Sequence, residues 1–194
     1  MPLFKFYLDT DALNRLSSLN GKKLEEFKKR FNSIDAELVF THVQVDERYS
    51  TKDEQKYQEI VEKAKETLRS KGIQIKFENT KIGIFGISRW GFFTFSTSDI
   101  ERIYDELDKG INACEKAKQN PKDPMNVKRD AMIAVSSLEH SFLITTDKCL
   151  CDSFNKVIEE KKELVEKVIT PKARLASQSS EAVADCILET FSKK

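Results

Sequence analysis

Short apolar runs alternate with longer stretches in which apolar residues recur every three or four positions, the texture of strands exchanging with amphipathic helices. Leu3 to Leu8 is apolar and aromatic and predicts a first strand that ends at Asp9. Leu13, Leu16 and Leu19 then follow helical spacing, and Asn20-Gly21 separates them from a second helix carrying Leu24, Phe27 and Phe31. Glu37 to Thr41 predicts a second strand. HVQVDERYS opens a helix expected to run to about Ser70, with Tyr57, Ile60, Val61, Ala64 and Leu68 on one side and Lys71-Gly72 at its end. Ser98 to Glu101 has capping-box spacing, and Ile100, Ile103, Tyr104, Leu107 and Ile111 form the buried face of the helix after it. Gln119 to Met125 reads as a linker in which Asp123-Pro124 supplies a cap and a first-turn proline.

The stretch Arg129 to Asp152 repeats the pattern most clearly. Ala131, Ala134, Val135 and Leu138 make one helical face, and Phe142 to Thr146 is an apolar, β-branched run that predicts a buried strand. Beyond it, Leu150, Phe154, Val157 and Ile158 mark a helix, and Glu166 to Thr170 predicts a strand stopped by Pro171. A last helix buries Ala184, Ile187, Leu188 and Phe191. Strands alternating with helices place the chain in the α/β class. Residues 73–97 differ: they are rich in Ile and Phe, carry three glycines and predict a hairpin-like insertion. Within it Arg89, Trp90, Phe92 and Phe93 suit either a base-stacking or homodimer surface, or plain packing on the domain.

Composition narrows the function classes. The 194 residues suit one domain with a full core. Lys and Arg number 33 against 32 Asp and Glu, so any polyanion site must be local and cannot be a bulk charge effect. No apolar run approaches the ~20 residues of a membrane span, and Met1 to Leu8 is too short for a signal peptide, so a cytoplasmic protein with no membrane partner is expected. Cys114, Cys149, Cys151 and Cys186 show no zinc-like spacing and are expected as reduced thiols.

The candidate chemistry lies in the acids at element boundaries. Asp9 ends the first strand and Asp147 follows the strand at 142–146. Asp130 sits in the opening turns of a helix that feeds this strand and so runs antiparallel to it, which returns Asp130 to the same carboxyl edge. Glu47, or its neighbour Asp46, follows the second strand in the same way. Asp11 reads as a partner for the helix dipole, and His42 as a surface or hydrogen-bonding residue. Two carboxylates about 4 Å apart repel by roughly 4 kcal/mol at an effective dielectric near 20, so such a cluster calls for a cation or shared protons. All-oxygen ligands favour Mg²⁺ or Mn²⁺ over zinc. Thr10, Thr145 and Thr146 stand where they can orient the carboxylates, and Arg48, Arg129 and Lys148 where they can meet phosphates.

LDT at the first strand, an acid after VQ, RDAMIA on a helix, ITTDK at a strand tip and the closing KVITP resemble a PIN domain. The resemblance covers Met1 to about Asp53 and Asp123 to the C-terminus. It implies a three-layer α/β/α sandwich around a mostly parallel sheet, and a Mg²⁺- or Mn²⁺-dependent endonuclease acting on RNA. The family's acids carry over to Asp9, Glu47, Asp130 and Asp147, with Asp152 a possible further metal ligand where many members have an acid directly after the strand-tip Asp and this chain has Lys148. Many such domains are toxins held by an antitoxin protein, a partner the resemblance also brings into view. A non-catalytic PIN-like RNA-binding or assembly module is the alternative. Asp9-Thr10-Asp11 also resembles the opening of a haloacid dehalogenase phosphatase, but Ala12-Leu13 follows and the chain contains no Gly-Asp dipeptide.

Overall fold

The computed structural model describes residues 4–48, 54–84, 88, 93–94, 96–138, 141–164 and 171–190, with the backbone alone at 47, 48, 54, 56, 57, 60, 61, 63, 64 and 164. Five strands form one sheet: β1 (Phe4–Leu8), β2 (Ala36–Phe40), β3 (Ile75–Phe77), β4 (Ser141–Thr145) and β5 (Lys172–Leu175). They lie in the order β3-β2-β1-β4-β5, and every pairing is parallel. Parallel neighbours need long crossovers, and the helices supply them. These are α1 (Thr10–Ser18), α2 (Gly21–Phe31), α3 (His42–Arg48), α4 (Glu54–Arg69), α5 (Ser98–Lys116), α6 (Pro124–Ser136), α7 (Lys148–Glu160) and α8 (Ser180–Glu189).

Successive strand residues point to opposite faces, and the carboxyl halves of β1, β2 and β4 are buried on both. Phe6, Leu8, Leu38, Phe40 and Ile144 pack with the buried faces of α1, α2 and α8. Tyr7, Val39, Leu143 and Ala173 pack with α5, α6 and α7. The result is a three-layer α/β/α sandwich. Phe6 anchors the first core, stacked on Phe142 at 5.4 Å and edge-on to Phe31 at 6.4 Å. Helix α6 is buried nearly all round, from Val127 to Ser136, so its hydrophobic pattern is broader than the single face read from the sequence.

Two expectations shift, at β3 and at the cap of α5, and two others fall on residues outside the described ones. The helix expected from His42 to Ser70 is described as α3, buried at His42 to Val45, and α4, much of it exposed; residues 49–53 between them lie outside the described residues. Ile75–Phe77, read as part of a hairpin-like insertion, pairs in parallel with β2 as the sheet's edge strand, because α4 provides the crossover a parallel pair requires. After it Thr80 and Phe93 form a parallel bridge; Arg89, Trp90 and Phe92 lie outside the described residues, as do Phe191 and the strand expected at 166–170. The described strand near there is β5, after Pro171; a proline just ahead of an edge strand withholds no donor from the ladder. Thr97, not Ser98, caps α5, accepting from the Ile100 amide at 3.3 Å. With two adjacent hydroxyl residues, spacing alone did not choose between them.

The expectation of four reduced thiols is also corrected. Cys114 at the end of α5 and Cys149 at the start of α7 form a disulfide, Cα atoms 5.6 Å apart, leaving Cys151 and Cys186 free. Among the described residues no helix is long and apolar enough to cross a membrane.

Candidate metal centre at the carboxyl edge

Strand order reverses between β1 and β4, and a parallel sheet opens a crevice beyond the carboxyl ends of its strands at such a point. Asp9 directly follows β1 and Asp147 stands two residues after β4. The Asp9 amide donates to the Ile144 carbonyl at 3.0 Å, continuing the ladder one residue past the strand and fixing where the carboxylate begins. Gln44 braces the same edge. Thr41-His42-Val43-Gln44 is a capping box in which the Gln44 side-chain carbonyl accepts from the Thr41 amide at 2.9 Å. Its amide nitrogen then donates to the Leu8 carbonyl at 2.6 Å.

Asp9 is only 4 % exposed and serves as the cap of α1. One carboxylate oxygen accepts from the Ala12 amide at 2.6 Å; the other accepts from the Thr145 hydroxyl and, at 3.1 Å, from the Thr146 amide. Burial pushes the Asp9 carboxyl above its usual range despite those hydrogen bonds. Thr146 also donates its hydroxyl to Asp11 at 2.7 Å, beside the Arg15–Asp11 ion pair at 2.6 Å. Burial alone raises Asp11, but the Arg15 and Thr146 hydrogen bonds and the Arg15 and Lys122 charges hold it below the usual carboxylate value. The orienting roles expected of Thr145 and Thr146 are thus visible as bonds.

Asp130, 7 % exposed, projects from α6, and Asp147 caps α7 through the amides of Cys149 (2.7 Å) and Leu150 (3.3 Å). The two carboxylates meet on one ammonium group. Lys122 Nζ lies 2.7 Å from Asp130 Oδ2 and 2.5 Å from Asp147 Oδ2. Burial disfavours the charge on Lys122, yet the two carboxylates outweigh it and raise the lysine above its ordinary value. Burial likewise lifts Asp147, and the Lys122 bond and charge overcome it, leaving that carboxyl lowered. The cation that such a cluster calls for is therefore present, as part of the chain.

Together these residues line a cleft of about 610 Å³ that contains Asp9, Asp11, Asp130 and Asp147 among its walls. Lys118, Lys122 and Lys148 stand among them, so four carboxylates face three ammonium groups and the cleft is nearly neutral. Thr10, Asn14, Asn126 and Gln178 complete a polar rim. The sequence reading missed Lys118, Lys122, Asn14, Asn126 and Gln178. None of the five carried a signal in the sequence, since each lies in a linker or on a polar helix position.

The remaining expected residues fall elsewhere. Glu47 is in the last turn of α3, but its side chain lies outside the described residues, as does that of Arg48. Asp46 and Asp152 do not line the cleft; Asp152 is exposed on α7, a full turn beyond Lys148. That turn moves it about 6 Å along the helix axis from the rim. Arg129 is engaged by Asn126 at 2.8 Å and is also off the cleft wall. His42 is fully buried at the start of α3.

A second group of possible ligand atoms, on Glu115, Asp147 and Cys149, lies within 4.8 Å of one another. Its sulfur is covalently bound to Cys114 and has no thiolate to offer, while Glu115 accepts from Lys118 Nζ at 2.6 Å and the Lys122 amide at 3.2 Å. It is a structural knot, not a ligand set. The aspartates fit a hard divalent cation better: their donors are all oxygen, and two of them already share one cation, the Lys122 ammonium. No protein-family model, no curated protein and no solved structure matches this chain.

Proposed function

We propose that this chain is a metal-dependent endoribonuclease of the PIN-domain type, hydrolysing RNA phosphodiester bonds with Mg²⁺ or Mn²⁺ held by Asp9, Asp130 and Asp147. The observation that carries the reading is the convergence of these carboxylates, from three distant stretches, on one cleft at the point where strand order reverses. A bound ion would lower the pKa of a water molecule and offset charge gathering on the phosphate. The chain's own contributions are positional. Thr145 and the Thr146 amide fix the rotamer of Asp9, and the first turn of α7 fixes Asp147. Lys118 and Lys148 bring ammonium groups to the rim where flanking phosphates would lie. Glu47 enters the proposal as a ligand through water or as the group that orients the nucleophile, and a cytoplasmic setting with single-stranded RNA as substrate completes it. An antitoxin protein or a second copy of the chain would be the partner of such an enzyme.

The test is cleavage of a fluorogenic single-stranded RNA by the full chain. Cleavage should require Mg²⁺ or Mn²⁺, stop with EDTA and fall by orders of magnitude in Asp147→Asn. Equal cleavage by Asp147→Asn, or cleavage that survives EDTA, would defeat the proposal. A second reading is a non-catalytic PIN-like RNA-binding or assembly module. It is favoured by the Lys122 ion pairs, which satisfy Asp130 and Asp147 without a metal. RNA binding with no cleavage under any divalent ion would select it.

A further inference from the structure

We infer that Lys122 is a resident counter-ion of the aspartate cluster that an incoming divalent cation must displace, so that this lysine sets how tightly the cleft takes metal. This rests on the metal reading above. The ammonium group bonds at once to Asp130 Oδ2 and Asp147 Oδ2, at 2.7 and 2.5 Å. A hard cation coordinated at about 2.0–2.6 Å by the same oxygens would lie against that ammonium, and two cations do not share so small a space. The singly charged one, on a flexible four-carbon stem and one-third exposed, is the one free to leave.

The backbone around Lys122 is held in place on both sides. Upstream, Glu115 is 2 % exposed and accepts from the Lys122 amide at 3.2 Å. Its neighbour Cys114 is bonded to Cys149, the residue whose amide donates to Asp147. Downstream, Asp123 caps α6 through the Met125 amide at 2.7 Å. The linker therefore delivers its lysine to the cluster from a fixed base, and only the side chain needs to move for metal to enter. The aspartates thereby keep a counter-charge without metal, at the expense of metal affinity.

Manganese binding to the full-length chain, read from the electron paramagnetic resonance signal of free Mn²⁺, tests this. Lys122→Met should bind Mn²⁺ at least ten-fold more tightly than the native chain, and Lys122→Arg, which keeps the charge, should show no such gain. Equal or weaker binding by a folded Lys122→Met overturns the inference while leaving the metal reading intact. Absence of binding in both native and Lys122→Met chains at millimolar Mn²⁺ defeats the metal reading, and the inference with it. Should Lys122→Met fail to fold, side-chain-labelled lysine in the native chain gives the answer, with Lys122→Arg assigning the signal. The Lys122 resonance should shift in step with the Asp147 amide as Mg²⁺ is added. A Lys122 signal unmoved at saturation overturns the inference.

Discussion

Asp130 is the residue at which the structure most changes what a substitution should do. Two facing carboxylates alone would make Asp130→Asn stabilising, by relief of repulsion. With Lys122 between them the sign reverses, because Asp130 is a buried acceptor of a charge-assisted bond at 2.7 Å. Discounted for the partial exposure of Lys122, Asp130→Asn should cost about 1 kcal/mol in urea unfolding of the metal-free chain. A more stable variant would mean that the ion pair is not formed in solution. The pH dependence follows from the same group. Asp147 is lowered in the folded state, so its stabilisation is present above the unfolded carboxyl value of about 3.9 and is lost as pH falls through the folded one. Lys122 is raised, so its share persists below about pH 10.4 and is lost as pH rises through its folded value. Urea midpoints measured from pH 2 to 7 should therefore fall in acid for the native chain and flatten in Asp147→Asn. Asp9, Asp130 and Asp147 were legible in the sequence because each sits at a boundary where hydrophobic period changes, and such boundaries are local. Lys122 was not. QNPKD has no periodicity, and where its side chain points is decided by Glu115 and by the cap at Asp123, neither of which reveals its partners in sequence.

At the scale of elements, strands were legible from their Phe- and Leu-rich runs, because a strand dry on both faces reads as continuously apolar. β3 and β5 were the exceptions: KARL in β5 is not continuously apolar, and β3, three residues long and next to an aromatic segment, looked like the start of a hairpin until its pairing with β2 is seen. The Cys114–Cys149 link was equally hidden. A separation of 35 residues says nothing of proximity until α5 and α7 are packed side by side. That loop length predicts a stabilisation of about 4 kcal/mol in the chain-entropy model. Reduction with a dithiol should lower the melting temperature accordingly, and thiol titration of the unfolded, unreduced chain should count two groups, not four. Four reactive thiols, or a melting temperature indifferent to reductant, would show that α5 and α7 are not cross-linked. The first core makes a sharper packing prediction. Phe6 is fully buried and in ring contact with Phe31 and Phe142, so Phe6→Ala should cost roughly 3–5 kcal/mol of stability.

For the whole molecule, the strand order places β1 and β4 side by side with their carboxyl ends at one cleft, and the chain's near-zero net charge makes that cleft the place to look for a polyanion site. Four carboxylates against three ammonium groups give the metal-free cleft no attraction for RNA. A divalent ion cancels the net negative charge even with Lys122 displaced from the carboxylates, so RNA affinity should rise with Mg²⁺ and the gain should weaken with salt. The proposed activity depends on one event, capture of a divalent ion by Asp9, Asp130 and Asp147. Calorimetric titration of Mn²⁺ into the native chain and into an Asp130→Asn, Asp147→Asn double variant, both checked for folding, measures it directly. Metal held by the aspartates predicts a saturable isotherm for the native chain and none for the double variant; the same isotherm from both, or none from the native chain, would contradict it.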